Sequence, residues 1–488
     1  MKKIILTILI SVSFIIQAQA AIYYVSVSGN DANDGLSAAH PWKSLKKVSS
    51  TVFNPGDRIL FKSAELWQGT LTLNGSGTKE QPIRLGRYGE GGLPVLNGLG
   101  TNESATIELL DQSYWHIGPL EITNRQRAGG HARLTGILVK ASKDKRLTGI
   151  TISHCFVHDV GSVWDEKDPD FSKGCGGIIL SGLTDSVLVE YCHIKDVSVE
   201  GIRNSSAIKC SHIVIDHNLL ENVYGDGIVF HGVKDQSSIT YNTLRNTCYN
   251  TSPANYAGAW TYLSDSSIIA FNEVSGITGG GKNDGQPFDA DIAVNGDIFE
   301  YNYSHDNAKG FMLFMPSAKN VIVRFNLSVN DIKTGAGNQR LFNYTVRRPH
   351  NNKIYNNTFY IDAEVDYLFQ GGFIGEFFNN IVYSTRPVKA FADKKVDPRS
   401  VIDHNSFTPE SIASDLTVSG LLKNQKNIPA CFKGNPERHQ IKAACKVFEL
   451  CNDSPLKTSG KIMAQNGGMD FKKADIQNRE KAAIGAIW

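Results

Sequence analysis

One short pattern recurs along this chain: a strand-like run, an aromatic residue or His, then Asn or Cys, then a second short run. It reads SHCFVHDV from Ser153, EYCHIKDV from Glu190, DHNLLENV from Asp216, TYNTLRNT from Thr240, AFNEVSGI from Ala270 and EYNYSHDN from Glu300. RFNLSVND from Arg324, IYNNTFYI from Ile354, a degenerate FNNIVYST from Phe378 and DHNSFTPE from Asp403 continue it. The aligned column is Cys155, Cys192, Asn218, Asn242, Asn272, Asn302, Asn326, Asn356, Asn379 and Asn405, spaced 23 to 37 residues apart. A period of this size, built of short strands without a helix-length pattern, means one supersecondary unit per repeat. Such a unit cannot bury its apolar face alone, so the units must stack.

The Asn column has a physical reading. A sharp bend between two strands leaves backbone groups unpaired, and Asn tolerates unusual backbone angles while bonding local backbone. Stacked coil on coil, the amides also bond each other along the axis. The column resembles the internal asparagine ladder of right-handed parallel β-helices such as pectate lyases. Leucine-rich repeats share the period but need a Leu-x-x-Leu-x-Leu pattern that is missing. The stretch IYYVSVSGNDANDGLSAAHPW from Ile22 and the closing AIGAIW from Ala483 resemble the two ends of secreted β-helix proteins acting on carbohydrates. The expected fold is therefore an all-β right-handed parallel β-helix with an N-terminal helical cap and an irregular C-terminal tail. The cap and first coils are expected over 21–100, the regular solenoid over 101–410, and the tail with a terminal strand over 411–488.

Residues 1–20 combine Lys2 and Lys3, an apolar run from Ile4 to Ile16 and an Ala18-Gln19-Ala20 cleavage motif. This is the layout of a secretory signal, too short to span a bilayer, which takes roughly 20 apolar residues. A secreted or periplasmic chain without membrane insertion is expected. The formal charge of +2 falls near zero once both lysines leave, so nothing suggests nucleic acid. Of eight cysteines, Cys431, Cys445 and Cys451 lie close in sequence and predict one bridge plus an odd thiol, without fixing the pairing.

Upstream of the Asn column, most coils carry a Gly followed by alternating residues, as in EGIRNSS from Glu200 and DGIVFHG from Asp226. AGAWTYL from Ala257, QPFDADI from Gln286 and KGFMLFM from Lys309 align with them. Alternate side chains of a strand face opposite ways. The alignment turns Ile178, Ile202, Ile228, Phe288 and Phe311 inward. It leaves Glu200, Arg203, Asp226, His231, Trp260, Tyr262, Gln286, Asp289, Asp291 and Lys309 outward, within a few coils of each other at about 4.8 Å per coil.

Aromatic faces suit sugar rings, and carboxylates suit hydroxyls and proton transfer. Asp289 and Asp291, two apart on one strand, share a face. Like charges this close raise one pKa, and glycoside hydrolysis needs such a carboxylate pair. The expected catalytic set is Asp226, Asp289, Asp291, His231 and Lys309, with Arg203, Trp260, Tyr262 and His305 contacting substrate. The pair Asp226 and His231 resembles the Gly-Asp and Gly-His-Gly elements of polygalacturonases. Those enzymes, however, have paired Asp residues and an Arg-x-Lys motif that are absent here, so that specific activity is not implied.

Three functions stay open on the sequence. A polysaccharide hydrolase uses the aspartates as acid and base. A lyase uses Lys309 as base, with Asp289 and Asp291 holding Ca2+ through oxygen ligands. A non-catalytic glycan-binding or adhesion β-helix uses the face for contact alone. The expected partner is a polysaccharide, met by a monomer.

Overall fold

The computed structural model describes residues 19–487 except 101–104, 126–132, 162–172, 252–253, 282–283, 333–339, 345–350, 371–372, 392–398, 413–421, 424–427, 435–443, 464–465 and 478. Residues 1–18, which carry most of the expected export signal, lie outside that set, as does Trp488. No helix among the described residues is long and apolar enough to cross a membrane.

The chain winds through three parallel sheets of 15, 13 and 12 strands, each strand pairing with its counterparts one coil before and after. A coil passes from the 15-stranded to the 13-stranded to the 12-stranded sheet, as in Thr184–Glu190, His193–Val197 and Glu200–Ser211. The expected parallel β-helix is the observed fold. Inward side chains stack in rows such as Ile178, Ile202, Ile228, Ala259, Phe288 and Met312. Aliphatic residues dominate the early coils. Later coils are filled by rings, with Phe311, Phe342 and Phe359 in mutual edge contact. Each fully buried side chain of this size contributes roughly 1.5–3 kcal/mol.

The tight corner between the 15- and 13-stranded sheets is where the sequence pattern acts. From Asn218 the side chains run Asn242, Asn272, Asn302, Asn326, Asn357, Asn380 and Asn405. Each amide oxygen accepts the backbone N–H and amide of the residue one coil back. Two members of the expected column are displaced by one residue: Asn357 and Asn380 occupy the ladder, not Asn356 and Asn379. The latter take the preceding position, which is left-handed in every coil (φ near +54° at both). Elsewhere that position holds an aromatic ring or His, and the rings stack from His154 through Tyr191, His217, Tyr241, Phe271 and Tyr301 to Phe325. Left-handed backbone costs such residues roughly 1–2 kcal/mol each, which ring stacking and the buried amide ladder offset. In an Asn-Asn pair, sequence alignment has no means of choosing between the two.

At the N-terminus, the expected helical cap is reduced to one turn, Leu45–Ser49. Trp42, stacked on Tyr23 with centroids 4.6 Å apart, supplies buried aromatic surface beside it. Asp31 of the Gly-Asn-Asp motif accepts the Lys43 and Ser44 N–H groups at 2.8 and 2.9 Å, locking the segment that leads into the turn.

The tail runs back along the outside of the ladder corner. Asn356 donates to the Ala483 carbonyl (2.9 Å), Asn379 exchanges bonds with Lys461, and Tyr301 donates to Met469 O at 3.0 Å. The expected terminal strand joins no sheet: Ala483–Ile487 is held by these polar contacts and by Thr358 Oγ1. Cys431 and Cys451 form the disulfide.

Candidate active site

The outer face of the 12-stranded sheet gathers most of the expected residues. Register places Arg203, Val229, Trp260, Asp289 and Leu313 in one row, with His231 beside Tyr262 in the next. Asp291 lies just past the strand Phe288–Ala290, its N–H donating to the Thr261 carbonyl at 2.9 Å, so it follows Tyr262 in the second row.

Asp226 sits at the mouth of its strand, fully buried. Its Oδ1 accepts the Ala257 N–H and the Trp260 indole N–H, both at 2.8 Å, and its Oδ2 has no hydrogen-bond partner. Burial raises its pKa to about 7, with Lys173 opposing and Glu200 adding to the rise. The Trp260 ring is thereby fixed, and Arg203 and Lys173 lie 6.0 Å from its centroid. Glu200 binds the Arg203 guanidinium and accepts the Gly174 N–H at 2.6 Å.

Arg203 also meets His231 Nδ1 at 3.2 Å. Burial, then Arg203 and Lys173, hold the imidazole pKa down at about 4, so His231 is neutral near pH 7. A guanidinium only donates. Nδ1 is therefore the acceptor, which assigns the ring proton to Nε2. Tyr262 packs edge-on against this ring at 4.6 Å.

Asp289 is almost fully buried and its Oδ1 is unpartnered. Burial, reinforced by Asp291, Asp284 and Asp226, pushes its pKa well above the carboxylate range. Asp291 is partly exposed and raised by burial, with the Ile292 N–H opposing. Asp284 joins them: burial and the charge of Asp291 lift it to about 7, with Lys173 and Lys309 pulling the other way.

Two expectations are corrected by this geometry. His305 belongs to the strand Tyr303–His305 of the 13-stranded sheet, away from the acidic face. Burial lowers its pKa, but Asp306 and Glu273 outweigh that and raise it to about 9. Lys309 is also out of register: Gly310 falls one residue farther from the strand than alignment on glycine implies, so Met312 and not Phe311 follows Phe288. Its ammonium donates to the Gly281 carbonyl. Among the described residues, no group of three His, Cys, Asp or Glu side chains is arranged to hold a metal ion. The Lys173 charge acting on Asp226, Asp284, Asp289 and Asp291 disfavours a cation among them.

Asp284 and Lys173 went unrecognised in the sequence. A signal for Asp284 exists. Ladder spacing is 24 residues from Asn218 to Asn242 and from Asn302 to Asn326, but 30 over the two coils between them. Those two longer coils bring in Tyr256 and Asp284. Lys173 carries a comparable mark, because it lies in the 37-residue interval from Cys155 to Cys192, the longest of the column.

Residues 101–274 match the family model described as the right-handed β-helix region. The chain is 26% identical over 593 aligned positions to a lacto-N-biosidase of Bifidobacterium longum subsp. longum, covering 95% of this chain and 36% of that protein. It thus spans about a third of that relative's length. A solved lacto-N-biosidase of family GH136 from Eubacterium ramulus superposes with a TM-score of 0.62 at 25% identity, covering 79% of this chain and 67% of that one. A mannuronic acid specific polysaccharide family 6 lyase from human gut microbiota shares the fold, at a TM-score of 0.50 and 13% identity over 84% of this chain and 91% of that one. The chain is a right-handed parallel β-helix protein, similar over most of its length to carbohydrate-active proteins of that fold.

Proposed function

We propose that this chain is an exported glycoside hydrolase, with Asp284 as general acid and Asp291 as its partner carboxylate. The observation that carries this reading is the coupling of the two. Asp284 is held near neutrality by burial and by Asp291, while Asp291 is partly exposed at the end of its strand. A buried carboxyl that keeps its proton near neutrality beside a more exposed one suits a division of work between acid and base.

Asp284 gives its proton to the glycosidic oxygen as the bond to the anomeric carbon breaks. Asp291 meets the positive charge growing on that carbon, either bonding to it or deprotonating the water that does. Asp289, protonated and buried, donates a hydrogen bond to a substrate oxygen. Tyr262, backed by the buried Trp260, presents the ring against which a pyranose packs, and the His231 Nε2–H donates to a hydroxyl. Asp226 acts on Trp260, not on the sugar.

The similarity to lacto-N-biosidases makes a lacto-N-bioside the first substrate to try. The test is release of nitrophenol from 4-nitrophenyl lacto-N-bioside. It is paired with a panel of neutral and uronate-rich polysaccharides, read both for new reducing ends and for ultraviolet absorbance of an unsaturated product. Reducing ends without that absorbance, unchanged by chelator, support hydrolysis. Chelator-sensitive absorbance overturns it in favour of the lyase, which the lowered pKa of Lys309 favours. Glycan binding with no product on any substrate leaves a binding module.

A further inference from the structure

The segment that delivers Asp284 is tied down from neighbouring coils. The Ile277 N–H donates to Asn307 Oδ1 at 3.0 Å, and the Gly280 N–H to Asn250 Oδ1 at 2.8 Å. The Asp284 N–H closes the neck on the Gly280 carbonyl at 3.1 Å, and the Lys309 ammonium takes the Gly281 carbonyl. The two sides of this neck nearly touch: a Cβ on Gly280 would lie 2.2 Å from Gly285 Cα, and one on Gly285 would lie 3.0 Å from Lys309 Cδ. The Lys309 carbonyl also accepts from the Gln286 amide. Lys309 therefore grips the segment on both sides of Asp284, with its stem under Gly285 and its head on Gly281.

We propose that Lys309 is a positioning residue that clamps the Asp284 segment for proton donation and does not itself act as a base. The proposal rests on the assignment of Asp284 as the acid. An ammonium bound to a carbonyl has no lone pair for proton abstraction, and holding its target is what such a donor does. The titratable groups acting on Asp284 are Asp291, Lys173 and Lys309, and those acting on Lys309 are Cys248, Asp284 and Arg340. Removing the Lys309 cation while the others stay raises the proton affinity of Asp284.

The test uses the full chain with Lys309→Met, Lys309→Arg and Asp284→Asn variants, each checked for an unchanged Tm and assayed across pH on the best substrate of the panel. Lys309→Met is expected to lose about 100-fold in kcat, the scale of a misplaced acid, with KM little changed. Its alkaline limb should shift upward, and Lys309→Arg should recover most of the rate at the original limb. Should Lys309→Met unfold, the Lys309→Arg profile and a Lys309→Gln variant carry the comparison. Wild-type kcat and limb in Lys309→Met, with Asp284→Asn inactive, overturn the clamp and leave the acid assignment standing. An active Asp284→Asn variant overturns the acid assignment itself. Unsaturated product from the wild type, with both Lys309→Met and Lys309→Arg inert at every pH, makes Lys309 the base and overturns the clamp.

Discussion

Asp284 and Asp291 carry the sharpest prediction at the scale of single residues. Asp284→Asn and Asp291→Asn should each lower kcat by about 100-fold or more, in the range of general acid–base contributions, at an unchanged Tm. The acid must be protonated to act, so the wild-type rate should fall along an alkaline limb near pH 7, where Asp284 titrates. Asp284→Asn should abolish that limb. A limb that survives the substitution belongs to another group, with Asp226 the first to examine. Asp291 was legible in the sequence because strand alternation places it on the outer face. Asp284 was not, because its segment leaves the period and reaches the site only through folding. His305 shows the opposite failure. Its His-Asp neighbourhood reads as chemistry, but the coil turns it onto another sheet, where Glu273 and Asp306 hold it.

At the scale of elements, the Asn ladder and the left-handed position before it divide the corner between core and tail. Asn302 accepts from the Asn272 N–H and amide and donates to the Ile269 carbonyl and to Asn326. Asn302→Ala strands several buried groups at about 1–3 kcal/mol each, and should lower stability by at least about 3 kcal/mol in denaturant unfolding. Asn356→Gly keeps the left-handed backbone and the ladder, losing the bonds to Ala483 and Gly485 and the long one accepted from the Asn379 amide. Its expected effect is about 1 kcal/mol, with faster proteolysis of the tail. Equal losses for the two variants would mean that Asn356 carries the ladder. The period and the corner were readable because each coil repeats one backbone problem with one side-chain answer. The slip at Asn356 and Asn379 arose where the sequence offers that answer twice in succession.

For the whole molecule, proton linkage sets a direction. Asp226 and Asp284 are raised to about 7, and Asp289 is raised well above the carboxylate range. His305 is raised to about 9. A group whose folded pKa is raised contributes stability below its unfolded value and loses it as pH climbs through the folded value. These four act together between about pH 4 and pH 9. Asp31, Asp111 and Glu273 are lowered, and their contribution is lost only in stronger acid; His231, lowered from 6.5 to about 4, opposes the trend between those values but is outnumbered by the raised carboxyls. Stability should therefore peak near about pH 5, and Tm should fall on going to pH 8. A Tm that rises over that interval would contradict the buried, proton-holding character of the acidic face. The parallel β-helix, the ladder corner and the sheet face on which most of the carboxylates gather were determined by the sequence alone, because stacking at a fixed rise turns a linear period into rows of neighbours. Which carboxyl holds a proton, which lysine clamps and which amide meets the tail were decided only by tertiary structure. Those properties depend on burial and on charges brought together from residues as distant as Lys173 and Asp291, and no local pattern encodes them.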